Sequence, residues 1–458
     1  MGAPVIMTSL TTAVGFLSLL TSQVYPVKYF GLFTAFGVIM AMVFSLTLIP
    51  ASLKIFGLPG WKKKKSGSSK ENGIFFNSTD YILENKKKVI IISLMFIGGS
   101  IYGISKMWID SSFLSKFEDD SRIVQSDRFI NNHFGGTSKL NVILEAEEND
   151  KFKEPEVLEK VLALQNEVQS SIKQVGNSFG ITDYLKRMNK VMHADREEYN
   201  KIPESPDLVA QYLLLYEMSG DPDNLWQVID YDYKKLNLTY QLKSDNSKIL
   251  NRAIGAVEEH ALGLKEEGIN INYAGSGYKA LVFTELILKG QISSLLISLI
   301  VVVILLSFMF KNFMAGLIGA VPITITAFIS FGVMGLMNIP LSTTTALLSS
   351  IAIGIGIDYA VHFLEKYKLY LNQTGDKLLS AKKTMMHSGK AITFNAVVVI
   401  AGFLVLLASV FPPNRELGAL VSLNMFTSFL GTLTVMMVLL YTANVFMHEK
   451  EEENDERF

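Results

Sequence analysis

Cysteine is absent from all 458 residues. The chain can form no disulfide, carries no mark of its redox compartment, and must stabilise any domain outside a membrane without cross-links. Charge is scarce: Asp, Glu, Lys and Arg make up 19%, against roughly 25% in ordinary soluble domains. Met1 opens on Gly2-Ala3-Pro4 and the first lysine is Lys28, a start without the basic region of a signal peptide. No nucleophile–base constellation, phosphate loop or metal-ligand spacing occurs, which points away from an enzyme, a metal, any other cofactor and nucleic acid. Asp119, Asp120 and Asp127 with His133 come nearest to a metal set. Their spacing fits no ligand pattern, so they read as solvated residues.

What is plentiful is apolar sequence, at 49% of the chain. It falls into eight runs, near 4–23, 29–56, 89–105, 290–310, 313–337, 342–365, 390–410 and 417–447. Each is about the 20 residues that a helix needs to cross hydrocarbon. One such run could be a buried core helix, but eight exceed what a soluble core accommodates. A polytopic α-helical membrane protein with about eight transmembrane helices is expected.

The net charge of −1 hides a segregation by segment. Segment 57–88 carries Lys62, Lys63, Lys64, Lys65, Lys70, Lys86, Lys87 and Lys88, and 366–390 carries six lysines against Asp376 alone. Basic loops stay in the cytoplasm, which puts both termini inside and residues 107–289 outside. The expected partition is 1–56, two helices; 57–88, a basic cytoplasmic linker; 89–106, a transmembrane helix; 107–289, an extracytoplasmic domain; 290–447, a five-helix bundle; and 448–458, an acidic tail. A multi-pass chain with both termini on the cytoplasmic side of its membrane is expected.

Residues 2–48 match residues 389–435 at a constant spacing of 387, without a gap. Gly2 pairs with Gly389, Gly15-Phe16-Leu17 with Gly402-Phe403-Leu404, Pro26 with Pro413 and Gly31 with Gly418. Glycines and proline in register carry the match, because leucines coincide easily. Both copies run inside to outside and back, as in a parallel repeat about the membrane normal. The second copy extends over a whole unit of six helices and an external domain. The first is therefore expected to lack four helices and an external domain within this chain.

Inside 107–289, segments 141–147, 236–243 and 269–275 read as strands, and 154–173 and 247–265 as amphipathic helices. That order suggests an α+β sandwich of ferredoxin-like type with a helical insertion around 181–230.

The residue of most interest is Asp358, within Gly354-Ile355-Gly356-Ile357-Asp358-Tyr359 and followed by His362. An ionised carboxylate in a membrane costs at least about 2.5 kcal/mol. Gly354 and Gly356 leave the helix surface bare for close approach of a neighbour. Tyr359 can donate a hydrogen bond, and His362 lies at i+4 from Asp358. Asp358, Tyr359 and His362 are thus candidates for a proton relay. The competing readings are a structural carboxylate and a histidine at the cytoplasmic interface. Thr343, Thr344, Thr345 and Asn395 read as packing polar groups, the other reading being hydration of a proton path.

On these residues the chain resembles the resistance–nodulation–division superfamily, in its MMPL-type branch. Residues 354–359 with His362 look like that family's tenth-helix signature, whose Asp-Tyr pair relays protons. Thr11-Thr12, Gly15-Phe16, Gly31 and Leu48-Ile49-Pro50 look like helices five and six. Phe134-Gly135-Gly136 before Leu140 is similar to the start of the porter domain. The resemblance implies the second part of a pseudo-twofold six-plus-six helix repeat with one ferredoxin-like porter domain. It also implies a proton-driven exporter of lipids or other hydrophobic molecules, with membrane lipids, a lipid-like substrate and protons as partners, and a separate N-terminal half or oligomeric partner. The alternative is a non-transporting sensor or scaffold of sterol-sensing or Patched-like type, binding lipid or a partner protein.

Overall fold

The computed structural model describes residues 2–56, 74–110, 112, 114–219, 222–443 and 445–446. The lysine-rich stretch 57–73, the side chains of Thr343 and Thr344, and the acidic tail 448–458 lie outside what is described. The chain divides into a unit of Met1–Ile109 with Glu285–Phe458 and a unit of Asp110–Thr284.

The first unit opens with α1 (Gly2–Leu17), a 3-10 turn at Ser18–Thr21 and α2 (Tyr25–Phe56). A short helix, α3 (Ile74–Glu84), leads into α4 (Lys86–Ile104). Phe33, Phe36, Leu48, Leu94 and Phe96 are all exposed. An apolar exterior of that extent is stable against hydrocarbon and not against water.

In the second unit, α5 (Arg122–His133) precedes β1 (Ser138–Glu145), α6 (Pro155–Ser171) and β2 (Val175–Phe179). Two helices, α7 (Ile181–Met192) and α8 (Pro206–Ser219), fill the expected insertion. They are followed by β3 (Lys235–Leu242), α9 (Ser247–His260) and β4 (Asn270–Ala274). The strands lie in the order β2-β3-β1-β4, each pair antiparallel. Alternation along β1 and β3 drives this: Leu140, Val142 and Leu144 and then Leu236, Leu238, Tyr240 and Leu242 are all buried. Val157, Val161, Leu164 and Val168 of α6 and Leu250, Ala253 and Val257 of α9 join the same core. Asp119 pairs with Arg128, Asp127 accepts from Thr137 at 2.7 Å, and His133 Nδ1 bonds Phe129 O at 2.8 Å.

One charge contact in this unit has a pH consequence. Glu258 accepts from Lys265 and, at 2.5 Å, from Tyr273 Oη, and these hold its carboxyl below the usual 4.5. A lowered native value means that the stabilisation is present above pH 4.5 and lost as pH falls through that lowered value. Both charged side chains are over two-fifths exposed, so at most about 1 kcal/mol is involved. In acid denaturation, Glu258→Gln is expected to flatten this part of the stability profile.

The chain returns through α10 (Gly275–Phe310), α11 (Phe313–Leu336), α12 (Thr343–Thr374), α13 (Lys377–Thr384), α14 (Lys390–Leu404) and α15 (Pro412–Gly431). Helix α10 starts fifteen residues before the apolar run near 290, directly from β4. There Gly275 has φ +99, and a Cβ would lie 2.5 Å from Lys139 O. Asn312 caps α11 through Ala315 N, Ser342 caps α12 through Thr345 N, and Gly375 at φ +70 ends α12. Two π turns interrupt the last helices, Met385–Gly389 before α14 and Thr432–Met436 after α15. Helix α3 packs on α13, with Asp80 2.7 Å from Lys382. Among the described residues, six helices are long and apolar enough to cross a membrane, with Val5–Thr21 as a shorter apolar helix. This is a mostly helical, multi-pass membrane protein with one small sheet.

The repeat is visible in the backbone. At the spacing of 387, α1 ends at Leu17 and α14 at Leu404. The 3-10 turn Ser18–Thr21 corresponds to Val405–Ala408, and α2 and α15 begin at Tyr25 and Pro412. Ser22 Oγ accepts from Val24 N and Ser409 Oγ from Phe411 N, both at 3.2 Å. A Cβ on Gly31 would lie 2.5 Å from Phe16 O, and one on Gly418 2.6 Å from Phe403 O. Gly31→Ala and Gly418→Ala are each expected to cost about 1–3 kcal/mol through overpacking. Lowered melting temperatures in detergent micelles, alike for the two variants, are the readout.

Candidate functional site

Helix α12 presents different neighbours to different sides. Towards α1, Gly354 removes side-chain bulk, so that a Cβ on Gly15 would sit 3.3 Å from Gly354 Cα. That approach puts Thr12 Oγ1 2.7 Å from Gly354 O and 3.3 Å from Asp358 Oδ1. Thr12 is 9% exposed and Asp358 half-buried. Towards α15, Gly356 O accepts from Ser428 Oγ at 2.9 Å, and a Cβ on Gly356 would meet that hydroxyl.

Tyr359 is 2% exposed, its hydroxyl 4.0 Å from Met425 Sδ. Tyr359, His362 and Lys366 also line a cleft of about 350 Å³ against His387 and Ser388 of the π turn and Ala391, Ile392 and Asn395 of α14. Ser388 Oγ donates to His362 O at 3.4 Å. No hydrogen bond links Asp358, Tyr359 and His362 to one another among the described residues. Asp358 addresses α1, while Tyr359 and His362 address the cleft. Asn395 is exposed in that cleft, and Thr345 is spent on capping, its hydroxyl accepting from Ser342 N at 2.8 Å.

Thr12 is the neighbour of Asp358 that the chain order hides. Its signal lies in the repeat: at the spacing of 387 its counterpart is Val399. A hydroxyl standing where the other copy has the same shape in carbon marks a polar demand specific to one interface. Chemically, one hydroxyl proton faces two acceptors. With Asp358 ionised, Thr12 can donate to the carboxylate. With Asp358 protonated, Thr12 can donate to Gly354 O and accept a hydrogen bond from the carboxyl O–H.

The profile of the MMPL family matches residues 1–79 and 117–457. MJ1562 of Methanocaldococcus jannaschii, named as a membrane protein, is 22% identical over 358 residues, covering 77% of this chain and 88% of its own length. MmpL12 of Mycobacterium tuberculosis, named a probable transport protein, is 29% identical over 93 residues, which are 20% of this chain and 8% of MmpL12. Among solved structures, the hedgehog release protein Disp of the water bear Hypsibius dujardini superposes with a TM-score of 0.64 at 14% identity. A heavy metal efflux pump superposes at 0.57 and 12%. Each likeness covers 96% of this chain, which spans 58% of either solved chain. At such identities they speak for the fold alone. With the family profile spanning both ends and most of the middle, the chain belongs to the MMPL family.

Proposed function

We propose that the chain is the carboxylate-bearing part of a proton-driven transporter, exporting lipids or other hydrophobic molecules across a bacterial cytoplasmic membrane, rather than an enzyme. The observation that carries this reading is the setting of Asp358. Its carboxylate sits in a membrane helix against a neutral hydroxyl, with no cation beside it among the described residues. Nothing there pins its charge, so binding and releasing a proton alters the contact between α1 and α12. Tyr359 and His362 then act as relay groups between Asp358 and the cleft, while Gly354 and Gly356 allow the helices to approach.

The finer architecture belongs to the same reading. Helices α1 and α12 add two crossings to the six, making eight. The order β2-β3-β1-β4, with α6 and α9 as crossovers, supports a ferredoxin-like porter domain outside the membrane. Both termini are then cytoplasmic. Support for this comes from Asp80 and Lys382, which tie α3, beside one basic segment, to α13 within the other, and basic segments stay inside.

The test is transport in proteoliposomes under an imposed proton gradient, comparing wild type with Asp358→Asn. On the alternative reading, a sensor or scaffold, ligand or partner binding survives Asp358→Asn and fails when the 110–284 unit is altered. Loss of gradient-driven transport in the Asn variant is incompatible with that alternative.

A further inference from the structure

The cleft between α12 and α14 brings several polar side chains together. Lys366, His362 and His387 gather around walls that are chiefly apolar, and no carboxylate is among the lining residues. Glu365 is the acid next in sequence, and it does not line the cleft. The π turn Met385–Gly389 carries His387 and Ser388 to the cleft, and such one-residue expansions recur at functional sites. The ring of Tyr370 lies 5.9 Å from that of His387 and packs beside it.

Asn395 supplies an independent observation. Its carboxamide is exposed in the cleft from a transmembrane helix, with no hydrogen-bond partner among the described residues. A polar group open to hydrocarbon is costly, so the cleft suits an occupant that is polar at this point. Phe394, Val397 and Val398 are exposed on the adjoining surface of α14, so the cleft continues into a surface that acyl chains cover.

We propose that this cleft is a binding site for the phosphate head group of an anionic phospholipid from the cytoplasmic leaflet. Lys366 and the imidazoles of His387 and His362 face the phosphate. Asn395 and Ser388 offer hydrogen bonds, and the acyl chains lie along the outer surface of α14. The Lys366 ammonium, with no carboxylate in the lining, commits the site to an anion, and the continuity with an apolar surface commits it to a lipid rather than a free ion. Tyr359 forms part of the lining, which places the lipid beside the relay residues. The leaflet assignment rests on the orientation proposed above; the site itself does not depend on proton coupling.

The test reconstitutes the protein in phosphatidylcholine bilayers with a small fraction of spin-labelled phosphatidylglycerol or spin-labelled phosphatidylcholine. Wild type is expected to immobilise the anionic lipid preferentially. A basic residue near a membrane surface is worth about 1 kcal/mol of anionic-lipid binding, so Lys366→Gln is expected to lower the preference about fivefold. His387→Gln, at an exposed position, is the second variant should Lys366→Gln fail to insert, and it is expected to lower the preference in the same direction. Lys390→Gln, exposed and outside the cleft, is expected to leave it unchanged. Asp358→Asn is also expected to retain the preference, which separates this result from the fate of the transport reading. Equal immobilisation of the two lipids by wild type overturns the proposal. So does an unaltered preference in both cleft variants, and so does displacement of the lipid by inorganic phosphate, which identifies the free anion as the ligand.

Discussion

Asp358→Asn is expected to yield a folded, membrane-inserted protein that no longer moves its substrate against a gradient. The carboxamide keeps the size of the carboxyl and can still accept from Thr12, but it neither binds nor releases a proton. The substitution therefore removes the charge change and leaves the packing of α1 on α12. Each proton entering down 100 mV supplies about 2.3 kcal/mol, or roughly fiftyfold in concentrating power, and this factor is what the variant loses. Fluorescent-lipid transport in proteoliposomes, with and without an imposed potential, reads it directly. Gradient-driven transport at the wild-type level in the Asn variant would end the proton-coupling proposal.

Thr12→Val should give the next largest effect, although it lies 346 positions from the carboxylate. Valine keeps the shape of threonine while deleting the hydroxyl that faces Asp358 Oδ1 and Gly354 O. Hydrogen bonds to charged groups are worth about 1.5–3 kcal/mol, so turnover is expected to fall about 10- to 100-fold. Thr12→Ser, which restores the hydroxyl, should recover most of it. The fold should tolerate the change, because the equivalent hairpin of α14 and α15 carries Val399 at this place. A simple packing role for Thr12 predicts the opposite pattern, with valine active and serine impaired.

The parts of the architecture that were legible from the residues are those governed by local pattern. The apolar runs near 29–56, 313–337 and 390–410 became α2, α11 and α14, because a membrane-crossing helix satisfies its own backbone hydrogen bonds within one segment. Leu236 to Leu242 alternates cleanly and forms β3. By contrast β2, Val175–Phe179, carries Gly176, Asn177 and Ser178 and shows no strand pattern. It is extended because β3 pairs with it from Thr239 to Leu242. Helix α3 was hidden inside a segment legible only as basic, and its footing is Lys382, from a segment three hundred residues further on.

Read alone, the amino-acid sequence determined the membrane class, the duplicated hairpin down to the glycines at 31 and 418, and Asp358 as the acid worth watching. Hydrocarbon thickness and backbone self-sufficiency act on contiguous residues, and so does a copied segment. Tertiary structure alone decided that Thr12 touches Asp358, that Tyr359 and His362 open on a different side from the carboxylate, and that His387 and Asn395 share their cleft. Those facts depend on which helices lie side by side. Contacts between helices distant in the chain are set by small-residue surfaces such as Gly15 against Gly354, which leave no periodic trace in the order of residues.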